Sequence, residues 1–303
     1  MTHRRTFAAR FAAAGMLLAG ALAGAPAAAQ TVAPDAAQST AVDSLVERGR
    51  LQEAAWLARE QGDSARADRV LARLEALLRS PPERVRPLGM DSQGVSYTYR
   101  LRHGQGVESI FKVDGSDIFC PECGADREVA TYRVDRLLGF DLTPMTVPLR
   151  IVAADDTLYG SAMYFVNDTR PPAEVGAEKP DAIRLFDAII GNSDRHRENW
   201  LVTAEGRAVA IDHNRAFEYQ PTTRPKTCWE TEIDSIAAPG DLGRPYERYR
   251  ALPPDSLAAP VEAVDSALAA RFLAMRDRVV ERIESRIRQP GQTPSHDDCR
   301  FDP

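Results

Sequence analysis

Three oxygen-bearing side chains stand in order along one stretch of the chain: Asp194, Asn199 and, beyond two short apolar runs, Asp212. An aspartate on a rigid loop can accept the proton of an attacking hydroxyl. An Asn in the spacing Asp-x-x-x-x-Asn and a later Asp can share the divalent ions that bridge the phosphates of ATP. Mg2+ takes a few carboxylate or amide oxygens and lets phosphate complete its shell, so a sparse ligand set is what this chemistry needs. On this reading Asp194 is the base or hydroxyl-orienting residue, and Asn199 and Asp212 hold Mg2+ or Mn2+.

The surrounding pattern supplies elements able to position these groups. Ile183, Leu185, Phe186, Ile189 and Ile190 recur at helical spacing, and Gly191 follows as a stop signal. A polar loop carries Asp194, Arg195, His196 and Asn199. Residues 200–203 and 208–211 read as two short strands joined by a turn at Glu205-Gly206, and the second delivers Asp212 onto a loop. Two readings of Asp187 stand open: a brace for the polar loop, or an exposed helical acid.

The run Gly191-Asn-Ser-Asp-Arg-His196, followed by Asn199 and by Asp212-His-Asn-Arg-Ala-Phe217, resembles the phosphatidylinositol 3-/4-kinase-like superfamily of atypical kinases. It looks closest to the secretory-pathway branch (the Golgi casein kinase and Four-jointed proteins), with the HipA kinases as cousins. The resemblance is specific over about 37 residues, weaker but ordered from Gly94 to Phe217, and does not cover 1–85 or the stretch beyond about 235. It implies a bilobal α+β protein-kinase-like fold that uses ATP. It also implies that Arg195 and His196 organise the loop, with no proton-transfer role for His196. His213 and Asn214 stand where ordinary protein kinases have Phe-Gly, a departure that leaves activation-loop switching an open question.

Residues 94–166 read as a mainly β lobe. Val95, Tyr97 and Tyr99 alternate with polar residues, His103-Gly-Gln-Gly106 turns, and Ser109–Val113 forms the next strand. Lys112 falls where the resemblance requires the lysine of the α/β-phosphates; a solvent-facing strand lysine is the plain alternative. Gly94 and Ser96 precede the hairpin, where backbone amides could cover phosphates. Residues 126–138 read as a helix stopped by Gly139. Glu128 in its first turn fits the acid that pairs with the lysine, and equally an acid favoured by the helix dipole. Strands are expected at 145–153 and 158–166, and Val166 then begins a hinge whose backbone could bind adenine.

The 303 residues, 44% hydrophobic and 27% charged, describe an ordinary globular protein. Residues 1–29 read as an export signal: Arg4-Arg5, an Ala-rich run over 11–24, and Ala27-Ala28-Ala29 before Gln30. Arg4-Arg5-Thr6-Phe7 also resembles a twin-arginine signal, so Sec and twin-arginine routes both stand. Without that segment the net charge falls from −6 to −9, which argues against a nucleic-acid surface, and no membrane span is expected after cleavage. The location implied is a bacterial periplasm or the exterior. There Cys120, Cys123, Cys228 and Cys299 suit structural disulfides, with a zinc site or free thiols as alternatives.

The boundaries expected are a signal at 1–29, a flexible linker at 30–41, a helical hairpin at 42–80, an N-lobe at 86–168, a C-lobe at 169–289 and a tail at 290–303. The hairpin resembles at most one tetratricopeptide unit, and a partner-docking role for 42–79 is the alternative to packing on the lobe. Residues 219–255 read as irregular and 256–288 as one long amphipathic helical region. The function expected is transfer of the ATP γ-phosphoryl group to a hydroxyl of a protein or carbohydrate. Adenylyl transfer on the same scaffold, an inactive pseudokinase and a periplasmic interaction or scaffold protein are the rivals.

Overall fold

Apolar residues alternate with polar ones through Val85, Tyr99, Leu101, Phe111, Val113, Val147, Leu149, Ile151 and Ala162, so a sheet built from these strands has one face to bury. The computed structural model describes residues 36–89, 97–116, 124–153, 155–219, 228–239 and 242–289, all within one compact unit. Gly94, Ser96, Cys120, Cys123, Cys299, residues 1–29 (expected to be an export signal), most of the expected linker and the expected tail 290–303 lie outside the described residues.

The chain opens with three helices, α1 (Ala36–Glu47), α2 (Leu51–Glu60) and α3 (Ser64–Arg79). Next come strands β1 (Arg84–Gly89), β2 (Thr98–Arg102) and β3 (Glu108–Val113), helix α4 (Ala125–Leu138), and strands β4 (Thr146–Ala153) and β5 (Asp156–Tyr164). The five strands form one antiparallel sheet in the order β1-β2-β3-β5-β4. Its apolar face is buried by the helices that precede it. Leu51, Ala54, Ala55, Trp56 and Ala58 of α2 and Leu71, Leu74 and Leu78 of α3 share one core with Leu101, Phe111, Val147, Ile151 and Ala162. The first helices are therefore a layer of the lobe. Their apolar stripe is spent on the sheet, as the packing alternative for 42–79 requires.

A second lobe follows, with β6 (Thr169–Arg170), α5 (Pro172–Val175), α6 (Asp181–Ile190), β7 (Trp200–Thr203), β8 (Ala208–Ala210), α7 (Trp229–Asp234), α8 (Gly243–Ala251), α9 (Pro254–Glu262) and α10 (Ser266–Arg288). The short strands pair in the order β6-β7-β8. Ile183, Phe186, Ile189 and Ile190 of α6 are buried against Phe272, Val279 and Ile283 of α10 and Val134 and Leu138 of α4. The architecture is a bilobal α+β, kinase-like fold, with a sheet-based lobe and a mainly helical one.

Several elements depart from the sequence reading, each for a physical reason. The N-terminal helical region holds three helices, and helix begins at Ala36, inside the stretch expected to be a flexible linker. Strand β1 lies outside the β lobe expected at 94–166; it holds Pro87, which a strand tolerates at a sheet edge. Helices α7 and α8 occupy the stretch expected to be irregular. They are short and polar, and their few buried anchors, Trp229, Ile233, Tyr246 and Tyr249, find partners only in the assembled lobe. The long C-terminal amphipathic region is broken before α10, where Asp265 caps the new helix by accepting from the Ala267 and Leu268 amides.

Candidate active site

Lys112 sits on β3, opposite Thr98 of β2 and Ser161 of β5. This strand crossing tolerates no side chain at Gly160, where a Cβ would stand 1.9 Å from the Lys112 carbonyl oxygen. The Lys112 ammonium donates to Glu128 Oε1 at 2.5 Å and to Asp212 Oδ1 at 2.6 Å. Three elements from both lobes thus meet at one nitrogen: β3, the first turn of α4 and the loop after β8. Asp212 adopts the left-handed backbone (φ 59°), a conformation uncommon for L-residues but the one Asp and Asn enter most readily after Gly.

Burial pulls the Lys112 ammonium down, but the charges of Asp212 and Glu128 outweigh it and hold its pKa above the usual lysine range. For Glu128 burial pushes up, while Lys112, then His213, pull further, so its carboxyl stays well below the usual range. Behind Glu128, His213 Nδ1 lies 3.7 Å from Oε2, and its ring meets Phe186 edge-on at 6.1 Å. Burial and the nearby Arg195 charge lower the His213 pKa, keeping the imidazole neutral. His213 thus fills the space behind the Lys–Glu pair, a role the sequence did not disclose.

The polar loop leaves α6 through Gly191 (φ 59°), where a Cβ would strike the Tyr219 ring at 2.5 Å. The buried Asp187 receives Arg195 Nε at 2.9 Å on one oxygen, and Asn192 Nδ2 and an Arg195 terminal nitrogen, each at 3.1 Å, on the other. Of the two readings of Asp187, the brace is the one present. The Arg195 guanidinium then donates to the carbonyls of Asn199 and, at 2.6 Å, Ile211. Ile211 N also donates to Asn199 O at 3.0 Å. A single buried side chain therefore sets the backbone at Asn199 and directly before Asp212.

Asp194 N donates to Asn192 Oδ1 at 3.2 Å, and Asn199 Nδ2 donates to the Asp194 carbonyl at 2.9 Å, tying the two ends of Asp-x-x-x-x-Asn together. His196 Nε2 lies 4.0 Å from Asp194 Oδ2, beyond hydrogen-bond distance, while its Nδ1 accepts from the Glu198 amide at 3.3 Å. Val166 is buried in the link between β5 and β6. That link is braced from behind: Tyr164 Oη donates to Glu53 of α2 at 2.7 Å, and Arg50 pairs with Asp168 at 2.8 Å. Sequence reading missed this brace, because nothing local marks a contact between residues so far apart in the chain.

The oxygen donors on hand, the Asp212 carboxylate and the Asn199 amide, are the hard ligands Mg2+ or Mn2+ takes beside phosphate, and Lys112 is a compact cation suited to phosphate oxygens. A sheet-based lobe carrying a half-buried lysine paired with a buried glutamate, joined to a helical lobe bearing Asp194, Asn199 and Asp212, defines a kinase-like domain.

Residues 177–235 match the family model for phosphatidylinositol 3- and 4-kinase. Among solved structures the chain is similar to the Golgi casein kinase (15% identity, TM-score 0.47, covering 73% of this chain and 78% of that one). It is similar also to the Golgi casein kinase with Mn/ADP bound (15% identity, TM-score 0.46, the same coverage). A third likeness is to the Helicobacter pylori proinflammatory kinase CtkA (13% identity, TM-score 0.43, covering 68% of this chain and 95% of that one). Comparison with curated proteins finds no match.

Proposed function

We propose that this protein transfers the γ-phosphoryl group of ATP to a hydroxyl of a protein or carbohydrate acceptor. In this reading Lys112, oriented by Glu128, holds phosphate oxygens, and Asn199 and Asp212 supply the oxygens for Mg2+ or Mn2+. The bound nucleotide would supply the phosphoryl group and the metal the charge that steadies it in transit. Asp194 accepts the proton of the acceptor hydroxyl as its oxygen bonds to phosphorus and the bond to the ADP leaving group breaks. Gly94 and Ser96 are assigned to cover the phosphates, and the backbone at Val166 to receive adenine.

The observation that carries the reading is the convergence of Glu128 and Asp212 on the Lys112 ammonium. A half-buried lysine held between two carboxylates is costly to assemble, and in this reading it marks where phosphate and metal meet.

The deciding experiment is thermal unfolding of the protein from Gln30 onward with ATP, with and without Mg2+ or Mn2+, beside Asp212→Ala. A ligand that binds the native state raises Tm by mass action. A metal-dependent rise that Asp212→Ala loses supports the reading. No rise with any nucleotide or metal transfers it to a pseudokinase or interaction protein. Product mass then separates phosphoryl from adenylyl transfer.

The same proposal includes export by the Sec or twin-arginine route to a periplasmic or secreted location, tested by fractionation and by the mature N-terminal sequence. An oxidising location would suit bridged cysteines. In this reading Cys228, the residue just before α7, takes part in such a bridge.

A further inference from the structure

Four arginines occupy one patch of the sheet. Arg84 is paired across the strands with Arg102, and Arg86 with Arg100. Directly opposed residues share a face, and residues two apart along a strand share it too, so all four lie on the same side. Val85 and Leu101 between them go to the core. The register continues from Arg100 to Ile110 and from Thr98 to Lys112, which puts the arginines on the Lys112 face of the sheet.

Like charges directly opposed across strands are destabilising, and here two such pairs stand side by side. Local neutralisation is slight. Arg100 pairs with Glu108 at 2.5 Å and lies over the Phe165 ring at 4.1 Å, with its Nε buried and unpartnered. Arg84, Arg86 and Arg102 have no ion-pair partner among the described residues. Together with Leu101 and Glu108 the four line a cavity of about 200 Å³.

From this arrangement we propose a second anion site, distinct from the cleft around Lys112: the β1–β2 face binds a small polyanion with two linked phosphate-type oxyanions, of the pyrophosphate class. Guanidinium forks grip phosphate oxygens in bidentate fashion. The two arginine pairs are about 7 Å apart, twice the strand rise, within the span of adjacent phosphates held by flexible side chains. The small cavity suits a compact anion. The site does not depend on the phosphotransfer reading.

The test is thermal unfolding of the full protein in EDTA, at matched ionic strength, with orthophosphate, pyrophosphate, tripolyphosphate, tetraglutamate or chloride. The proteins compared are wild type, Arg84→Ser/Arg86→Ser, and Asp212→Ala. Pyrophosphate and tripolyphosphate are expected to raise Tm more than orthophosphate, in wild type and in Asp212→Ala alike. The double-serine protein is expected to have the higher Tm without ligand, because the opposed charges are gone. Its apparent affinity for pyrophosphate should fall roughly tenfold or more, the loss expected for charge-assisted hydrogen bonds.

Three results would overturn the proposal. A pyrophosphate shift that survives in the double-serine protein would place binding elsewhere. A shift matched by chloride would leave the arginines only the guarding of a sheet edge. A response to tetraglutamate without one to pyrophosphate would reject the phosphate class.

Discussion

Asp187 and Arg195 form an ion pair in which neither side chain is exposed at all (0% each). The arginine gives its Nη1 donors to the backbone of Asn199 and Ile211, so the pair is the keystone of the loop that bears Asp194 and the strand that leads to Asp212. Removing the carboxylate would leave a buried guanidinium without its counter-charge, a loss of about 3–5 kcal/mol. Asp187→Ala is expected to lower denaturant stability by that amount. Asp187→Asn should lose less, because its amide oxygen can still accept one of the Arg195 donors. Equal stability of Asp187→Ala and wild type would contradict the buried pair.

Asp194 and Asp212 should separate binding from turnover. Asp194→Ala is expected to keep the metal-dependent ATP shift in Tm and to lose phosphotransfer, because in the proposed reading the side chain acts on the acceptor hydroxyl. Asp212→Ala is expected to lose both. Turnover in both variants, followed with labelled ATP, would remove these residues from the chemistry.

The N-terminal helices should not behave as a detachable module. Deleting 36–79 would uncover Leu101, Phe111, Val147, Ile151 and Ala162 together, which as part of a fold of this size exceeds the few kcal/mol of net stability a domain has to lose. The truncated chain is expected to be aggregated or unfolded by circular dichroism. A soluble truncation that binds nucleotide would restore the docking-module alternative. A milder change, Glu53→Ala, leaves the buried Tyr164 hydroxyl without its acceptor and should cost about 1–3 kcal/mol.

Asp135 should make stability depend on pH. It is buried in α4, where Oδ2 accepts from the Leu142 and Thr143 amides and the Thr143 hydroxyl, and Oδ1 has no partner among the described residues. Burial pushes its carboxyl up to about 7, against the pull of the Thr143 bonds. The folded protein therefore binds a proton that the unfolded chain has released once pH exceeds about 4. The Asp135 contribution is intact below pH 4 and is lost as pH rises from about 4 through 7. Asp135→Asn should flatten that fall, so its stability relative to wild type is higher at pH 8 than at pH 5. An unchanged difference between the two pH values would show that the carboxyl ionises normally.

Much of the candidate site's local framework was legible because its signals are local. The spacing Asp194, Asn199, Asp212, the apolar period of α6 with its Gly191 stop, and Glu128 at the head of a helix ending at Gly139 all lie within short windows where periodicity and stop residues act. Strand alternation also marked Ser109–Val113, and with it the placement of Lys112 on β3. Other features depended on partners far along the chain. The sequence left Lys112 as either a phosphate lysine or a surface one, Asp187 as either a brace or an exposed acid, and 42–79 as either a packed layer or a docking module. Only the folded chain brings Lys112 to Glu128 and Asp212, 16 and 100 residues away, and carries Glu53 to Tyr164, 111 residues on. Local spacing determines which elements form and which face each residue shares. Burial and long-range charge pairing exist only once those elements pack, so the ion pairs and the brace on the β5–β6 link were decided by tertiary structure.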